Sequence, residues 1–383
     1  MSFVTDKVKN LPASGIRKFF DVAAEMTDVV SLGVGEPDFF TPWNVREEAI
    51  YSLERRRTAY TSNAGLPALR EAVCNYMQRF ALKYDPREQV VITVGVSEAI
   101  DIALRAVLAP GDEVLVVEPC YVSYRACVIL AGGVPVSVVT HAENNFRVQP
   151  DDILEKITPR TKAIILCYPN NPTGAIMERE DLEKIAAFFR NHPNILIISD
   201  EVYAELTFTE ADHISIAALP DMYERTLVLN GFSKAFAMTG WRLGYACGPT
   251  ELIAAMVKIH QYVIMCAPTT AQLAGVEALQ NGLEGVEKMR DEYNGRRRLM
   301  LDAFREMNIP CFEPLGAFYL LPSIAQTGLS SEDFCTRLLM EKRLAIVPGT
   351  AFGECGEGFV RCSYAYSVAE LQEALRRLRN FIG

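Results

Sequence analysis

The sequence predicts an α/β protein in which a mostly parallel sheet lies between helices, and three observations carry that prediction. From about residue 90, short β-rich runs alternate with longer amphipathic ones. The short runs are continuously apolar rather than alternating, as a sheet covered on both faces requires. After about residue 280 the pattern changes, and a long charged helical stretch begins.

Taken in order, Val90–Val94 reads as a strand and Ser97–Leu108 as the helix after it, with Ile100, Ala103, Leu104 and Val107 on its apolar face. Glu113–Val117, Val134–Val139, Lys162–Cys167, Ile195–Ser199 and Thr226–Leu229 read as further strands, and Glu178–Arg190 as a helix. Beyond residue 280, a helix from about Gly285 to Met307 leads to Gly316-Ala317-Phe318-Tyr319-Leu320-Leu321-Pro322. A helix, a strand near Leu344–Val347 and another near Phe359–Ser363 complete a smaller α+β domain. The first 45 residues, interrupted by Pro12 and Pro37, are expected to pack back on it. The expected division is a large domain over 46–280 and a small one built from 1–45 and 281–383, since 383 residues exceed one small core.

Half of the residues are hydrophobic and the charges are dispersed, which argues against disorder. A net charge of −10 argues against nucleic acid or an anionic membrane as a partner. The runs Arg55–Arg57 and Arg296–Arg298 read as solvated helix faces. Ten cysteines without a CxxC spacing, and a start lacking a signal-peptide pattern, suggest reduced thiols in a cytoplasmic protein. No apolar run approaches the roughly 18 residues of a membrane span. Four scattered histidines do not suggest a metal site, and His213 and His260 read as packing or surface residues.

In a parallel sheet, sites form beyond the carboxyl ends of the strands. The first strand opens into Gly95-Val96-Ser97 at a helix start, where free N–H groups favour a phosphate and Ser97 either caps the helix or bonds the anion. Tyr168-Pro169-Asn170-Asn171-Pro172-Thr173-Gly174 is a turn that presents an asparagine amide, or a plain β-to-α turn. Asp200 ends a run of isoleucines and needs a partner there, either a protonated ring nitrogen or a structural salt bridge. Lys234 leaves another strand, and Arg242 follows eight residues later. An enclosed lysine amine can form a Schiff base with an aldehyde, and an arginine fork can hold a phosphate. An aldehyde that also carries a phosphate describes pyridoxal 5′-phosphate.

The joint occurrence of these strand ends brings out a resemblance that covers essentially the whole length. The chain resembles the fold-type I pyridoxal-phosphate aminotransferases of class I/II. The matching runs are Ser31-Leu32-Gly33-Val34-Gly35-Glu36-Pro37-Asp38-Phe39, Tyr60-Thr61-Ser62-Asn63-Ala64-Gly65-Leu66, the Asn-Asn-Pro-Thr-Gly turn, Ser199-Asp200-Glu201-Val202-Tyr203, Asn230-Gly231-Phe232-Ser233-Lys234 with Met238-Thr239-Gly240-Trp241-Arg242, and Phe359-Val360-Arg361-Cys362-Ser363. It is most similar to the bacterial and archaeal aromatic or broad-specificity branch.

The resemblance implies a large domain with a seven-stranded, mostly parallel sheet, and it implies roles. Lys234 would hold the cofactor's aldehyde and act as the base that moves the α-proton. Asp200 would pair with the ring nitrogen, and Asn171 and Tyr203 with the phenolate oxygen. Tyr121 would stack on the ring. Val96, Ser97 and Arg242 would hold the phosphate. Arg361 would bind the substrate carboxylate, helped by the Gly35 N–H and the Asn171 amide. Tyr60 would reach the phosphate of the neighbouring subunit, which implies a homodimer with sites at its interface. Many relatives carry a phosphate-binding serine where this chain has Gly231; Ser233, or a backbone N–H with water, would serve instead.

The implied reaction is ping-pong transfer of an amino group from an L-amino acid, aromatic or broad in range, to a 2-oxo acid such as 2-oxoglutarate. Ile16, Tyr60, Tyr121 and Phe318 are candidates for an apolar side-chain pocket. Arg17 is a candidate for a distal carboxylate, but reads better as a solvated helix face. Aspartate or alanine remain alternative donors, and a C–S β-lyase or cyclopropane-forming synthase is an alternative on the same scaffold. The sensor half of a transcription regulator is disfavoured, because the chain begins almost at the small domain and is acidic.

Overall fold

A computed structural model describes residues 3–11 and 26–382. Its largest sheet has seven strands: β1 (Val90–Thr93), β2 (Glu113–Glu118), β3 (Val134–Val139), β4 (Thr161–Cys167), β5 (Leu196–Asp200), β6 (Thr226–Gly231) and β7 (Gly244–Cys247), in the spatial order β1-β7-β6-β5-β4-β2-β3. The pairs β2–β3, β2–β4, β4–β5 and β5–β6 are parallel, and β7 runs against both of its neighbours. Every residue of β1, β2, β6 and β7 is buried, which explains the continuous apolar runs.

Six of these strands are legible as apolar runs, and β7 is not. Its four residues, Gly-Tyr-Ala-Cys, include no β-branched side chain. Its place between β1 and β6 follows instead from close backbone packing: a Cβ on Gly244 would fall 2.7 Å from Val96 N. The helix after β1 spans Gly95–Val107, with Val94 at its N-cap. Ser97 therefore lies inside the first turn and does not cap the helix, a correction to one of its two expected uses.

The second core gathers Tyr203, Met300, Phe304, Phe318, Phe334, Leu338 and Leu371 around a three-stranded sheet of Val347–Pro348, Val360–Ser363 and Tyr319–Leu320. The expected strand Leu344–Val347 is divided between two sheets. Leu344–Ala345 pairs in parallel with Val30–Ser31, and Val347–Pro348 pairs antiparallel with Val360–Ser363. The helix Trp43–Glu54 instead packs on Thr269–Asn281, where the Asn44 amide donates to Glu277 at 2.8 Å.

Arg55–Arg57 are exposed, as expected, but Arg296 and Arg297 are not. They lie on the helix Leu283–Glu306, on the face shared with Tyr293 and Met300. Arg296 Nη1 reaches both Asp38 oxygens at 2.8 Å and its guanidinium stacks on Phe39 and Tyr293. Arg297 Nη1 bonds Glu313 at 2.9 Å and the Pro314 carbonyl at 3.1 Å. A guanidinium tolerates burial when its donors are paired, and spacing alone does not reveal partners so far away in sequence. All ten cysteines are free thiols. Among the described residues, no helix is long and apolar enough to cross a membrane.

Candidate active site

The carboxyl ends of β1, β2, β4, β5 and β6 converge on a cavity of about 510 Å³, closed from the other side by residues 33–36, Tyr319 and Arg361. Gly35, Val96, Ser97, Tyr121, Asn171, Asp200, Tyr203, Ser233, Lys234, Arg242 and Arg361 all line it. Tyr60 does not. It is 80 % exposed and lies in a separate surface hollow with Arg57, Ser62 and Thr269. Ile16 and Arg17 lie outside the described residues.

Lys234 follows β6 and donates from Nζ to the Gly35 carbonyl at 2.6 Å. Burial pulls its amine down to about 8; Arg361 and Arg242 push the same way, while Glu36 and Asp200 oppose them. A neutral, nucleophilic amine is therefore accessible near neutral pH. Asp200 ends β5 at 4 % exposure, and burial pushes its carboxyl up to about 6. Two hydrogen bonds pull against that rise, from the Tyr124 hydroxyl at 2.6 Å and the Val202 N–H at 3.2 Å. Sequence reasoning missed Tyr124. The available signal was a second tyrosine three residues after Tyr121, at the start of the helix Ser123–Leu130.

Arg361, 2 % exposed, sits between two aromatic faces, 4.5 Å from the Tyr319 ring centre and 4.8 Å from that of Phe352. Its Nη1 donates to Asn171 Oδ1 at 2.9 Å and its Nη2 to the Gly33 carbonyl. Its buried Nε has no partner among the described residues. The Tyr203 and Tyr319 hydroxyls share a hydrogen bond of 2.8 Å.

Tyr319, not Phe318, lines the cavity: Tyr319 opens the strand Tyr319–Leu320, and Phe318 belongs to the turn before it. Phe318 is fully buried behind the site, edge-on to Tyr203 at 5.5 Å, which corrects its expected place in the substrate pocket. Gly35 is needed where it stands: a Cβ there would fall 2.4 Å from Tyr319 Oη.

At the start of the helix Gly95–Val107 the backbone forms an open cradle. Gly95 has a φ of +74°, and a Cβ on it would fall 2.7 Å from Arg242 Nη2. Arg242 is anchored by Nη1 on the Thr239 carbonyl at 3.0 Å. A side chain at Gly231 would press on Gly244 Cα at 3.0 Å and the Leu243 carbonyl at 3.1 Å, so a serine there would need β7 to shift. The Ser97 and Ser233 residues line the cavity instead. An amine of lowered pKa, a buried carboxylate, an amide–phenol pair and a helix-start cradle beside an arginine form a donor set that fits a phosphorylated pyridine aldehyde.

Comparison with known proteins agrees with this chemistry. Residues 27–378 match the family described as aminotransferase class I and II. The chain is 44 % identical to the aspartate aminotransferase of Pyrococcus abyssi, over 99 % of this chain and 98 % of that protein. It is 43 % identical to aromatic-amino-acid aminotransferase 2 of Thermococcus litoralis, with the same coverage. Among solved structures, the aspartate aminotransferase of Thermus thermophilus with maleate superposes with a TM-score of 0.94 at 39 % identity, covering 99 % of this chain and 100 % of that one. With the family match running through nearly every described element, the chain belongs to the class I and II aminotransferases, enzymes that move amino groups with pyridoxal 5′-phosphate as cofactor.

Proposed function

We propose that this aminotransferase takes the amino group of an aromatic or large neutral L-amino acid and passes it to a 2-oxo acid such as 2-oxoglutarate, in two half-reactions of a ping-pong cycle. One observation carries the donor class. Apart from the groups that have tasks of their own and the polar Glu36 and Thr239, the cavity wall is apolar or aromatic: Val34, Ile100, Val122, Val202 and Tyr319. Among the described lining residues, the cations are Lys234, Arg242 and Arg361, each with another role.

In this reading Val96, Ser97, Ser233 and Arg242 hold the cofactor phosphate. Asp200 keeps a proton on the ring nitrogen, Asn171 and Tyr203 orient the ring oxygen, and Tyr121 lies against the ring face. When bound, pyridoxal 5′-phosphate supplies the electron sink for the bond broken at the substrate α-carbon. Arg361 fixes the α-carboxylate, with the Gly35 N–H beside it. Its Nε, without a partner among the described residues, supports this role, because an incoming carboxylate would satisfy a buried donor. The Lys234 amine, lowered to about 8, carries the α-proton. Two copies of the chain assemble, with Tyr60 of each completing the other's site. The large unit is 46–280, and the small one is formed by 1–45 with 281–383.

A second reading, with aspartate as donor, is favoured by the 44 % identity to an enzyme named for aspartate. Adding single L-amino acids to the purified holoenzyme without any oxo acid, and following the cofactor's absorption, separates the two. Loss of the aldehyde-form band with phenylalanine or tyrosine is the expected result. Loss only with aspartate or alanine would overturn the donor class, and release of ammonia or sulfide with the band restored would indicate a lyase.

A further inference from the structure

We propose that Glu98 and His260 are positioning residues for the phosphate cradle: they fix the turn 93–97 so that its N–H groups face an anion. This rests on the reading that the cofactor phosphate sits at that turn. The N-cap residue, Val94, has no side chain able to cap the helix. Its own N–H is taken by Glu98 Oε2, which reaches back from the first turn at 2.6 Å. The other carboxylate oxygen, Oε1, lies 2.7 Å from His260 Nδ1. A carboxylate of an ionised glutamate only accepts, so the imidazole donates. The Thr93 hydroxyl closes the same turn by donating to the Gly95 carbonyl at 2.9 Å. With Val94 N–H removed from competition, the N–H groups of Gly95, Val96 and Ser97 are left to the ligand.

Two local penalties meet at this spot. A carboxylate in the first turn suits the helix dipole, but it repels the anion that the same turn would receive. His260, fully buried on the helix Thr250–Val263, leaves its Nε2 without a partner among the described residues. An apolar side chain at 260 would avoid the second penalty, and a shorter polar one at 98 the first. Packing therefore does not account for the pair. The buried His260 nitrogen, without a partner among the described residues, is the departure from local rules that marks functional constraint, and here the constrained element is the backbone of the cradle.

The test compares pyridoxal 5′-phosphate with pyridoxal, which lacks the phosphate, in reloading the full-length chain after the cofactor has been dialysed away. Wild type should prefer the phosphorylated form; equal affinity would refute the underlying cradle reading by itself. Glu98→Ala should weaken pyridoxal 5′-phosphate by roughly tenfold or more and leave pyridoxal unchanged, as expected for loss of a charge-assisted bond acting through the phosphate. Glu98→Gln, whose amide oxygen can still accept from Val94, should restore most of the loss. His260→Asn should show a smaller loss confined to the phosphorylated form. Equal weakening of both ligands, or of neither, overturns the proposal. Where circular dichroism shows Glu98→Ala unfolded, His260→Asn and Glu98→Gln decide by the same ratio.

Discussion

Asp200 is held between two demands that its surroundings resolve in opposite directions. Burial raises its carboxyl to about 6, while Tyr124 and the Val202 N–H favour the charged form. In the unfolded chain the group titrates near its ordinary value of 3.8, so between the two values the folded state binds more protons. Stability contributed by this group is thus fully present below pH 3.8 and is lost as pH rises through about 6. Asp200→Asn removes the buried charge. In the cofactor-free protein it should raise unfolding free energy by up to ~3 kcal/mol at pH 7, with the advantage vanishing below about pH 4. Urea titrations at both values check this, and the same substitution should abolish most activity. Lys234, Asp200 and Arg361 were legible because each sits in a run whose order and chemistry are diagnostic. Tyr124, Tyr319 and the Glu98–His260 pair were not, since each acts through a partner from another element and no spacing announces the contact.

The long helix Leu283–Glu306 reaches the site through one ion pair. Arg296 grips Asp38, and Asp38 lies just after the stretch 33–36 that covers the cavity and supplies the Gly33 carbonyl to Arg361. Asp38 is 25 % exposed, so solvent screens part of the attraction. Asp38→Asn should cost about 1–2 kcal/mol of stability and raise the KM of the amino acid more than it lowers kcat, measured by denaturant midpoint and steady-state kinetics. A loss in kcat alone would place the pair outside substrate binding. Apolar runs made six strands readable, whereas β7 is set between β1 and β6 for reasons of backbone approach. The division of Leu344–Val347 between two sheets likewise depends on partners, Val30–Ser31 and Val360–Ser363, that a local pattern does not name.

At the scale of the whole molecule, Tyr60 stands exposed on the surface, away from its own chain's cavity. If it serves the site of a second copy, an inactive Lys234→Ala chain still carries an intact Tyr60. Mixing it with Tyr60→Ala under conditions of subunit exchange should return activity to about a quarter of the wild-type level per site, the statistical share of hybrid dimers with one complete site. No recovery on mixing, with exchange verified by mass, would sink the arrangement in trans.

All of the chemistry described lies at one edge of the seven-stranded sheet. The opposite edge is made of the turns entering β2 to β6, which tie mainly to each other: Gly111 N to Gly132 O, Glu113 N to Arg160 O, and Arg225 to the carbonyls of Phe189, His192 and Ile195. A six-residue strand such as β2 places that edge roughly 20 Å from the cavity. The exposed positions of these turns, 110–111 and 193–194, are therefore the natural attachment points for a fluorophore or an affinity tag, where added mass can be carried without entering the reaction.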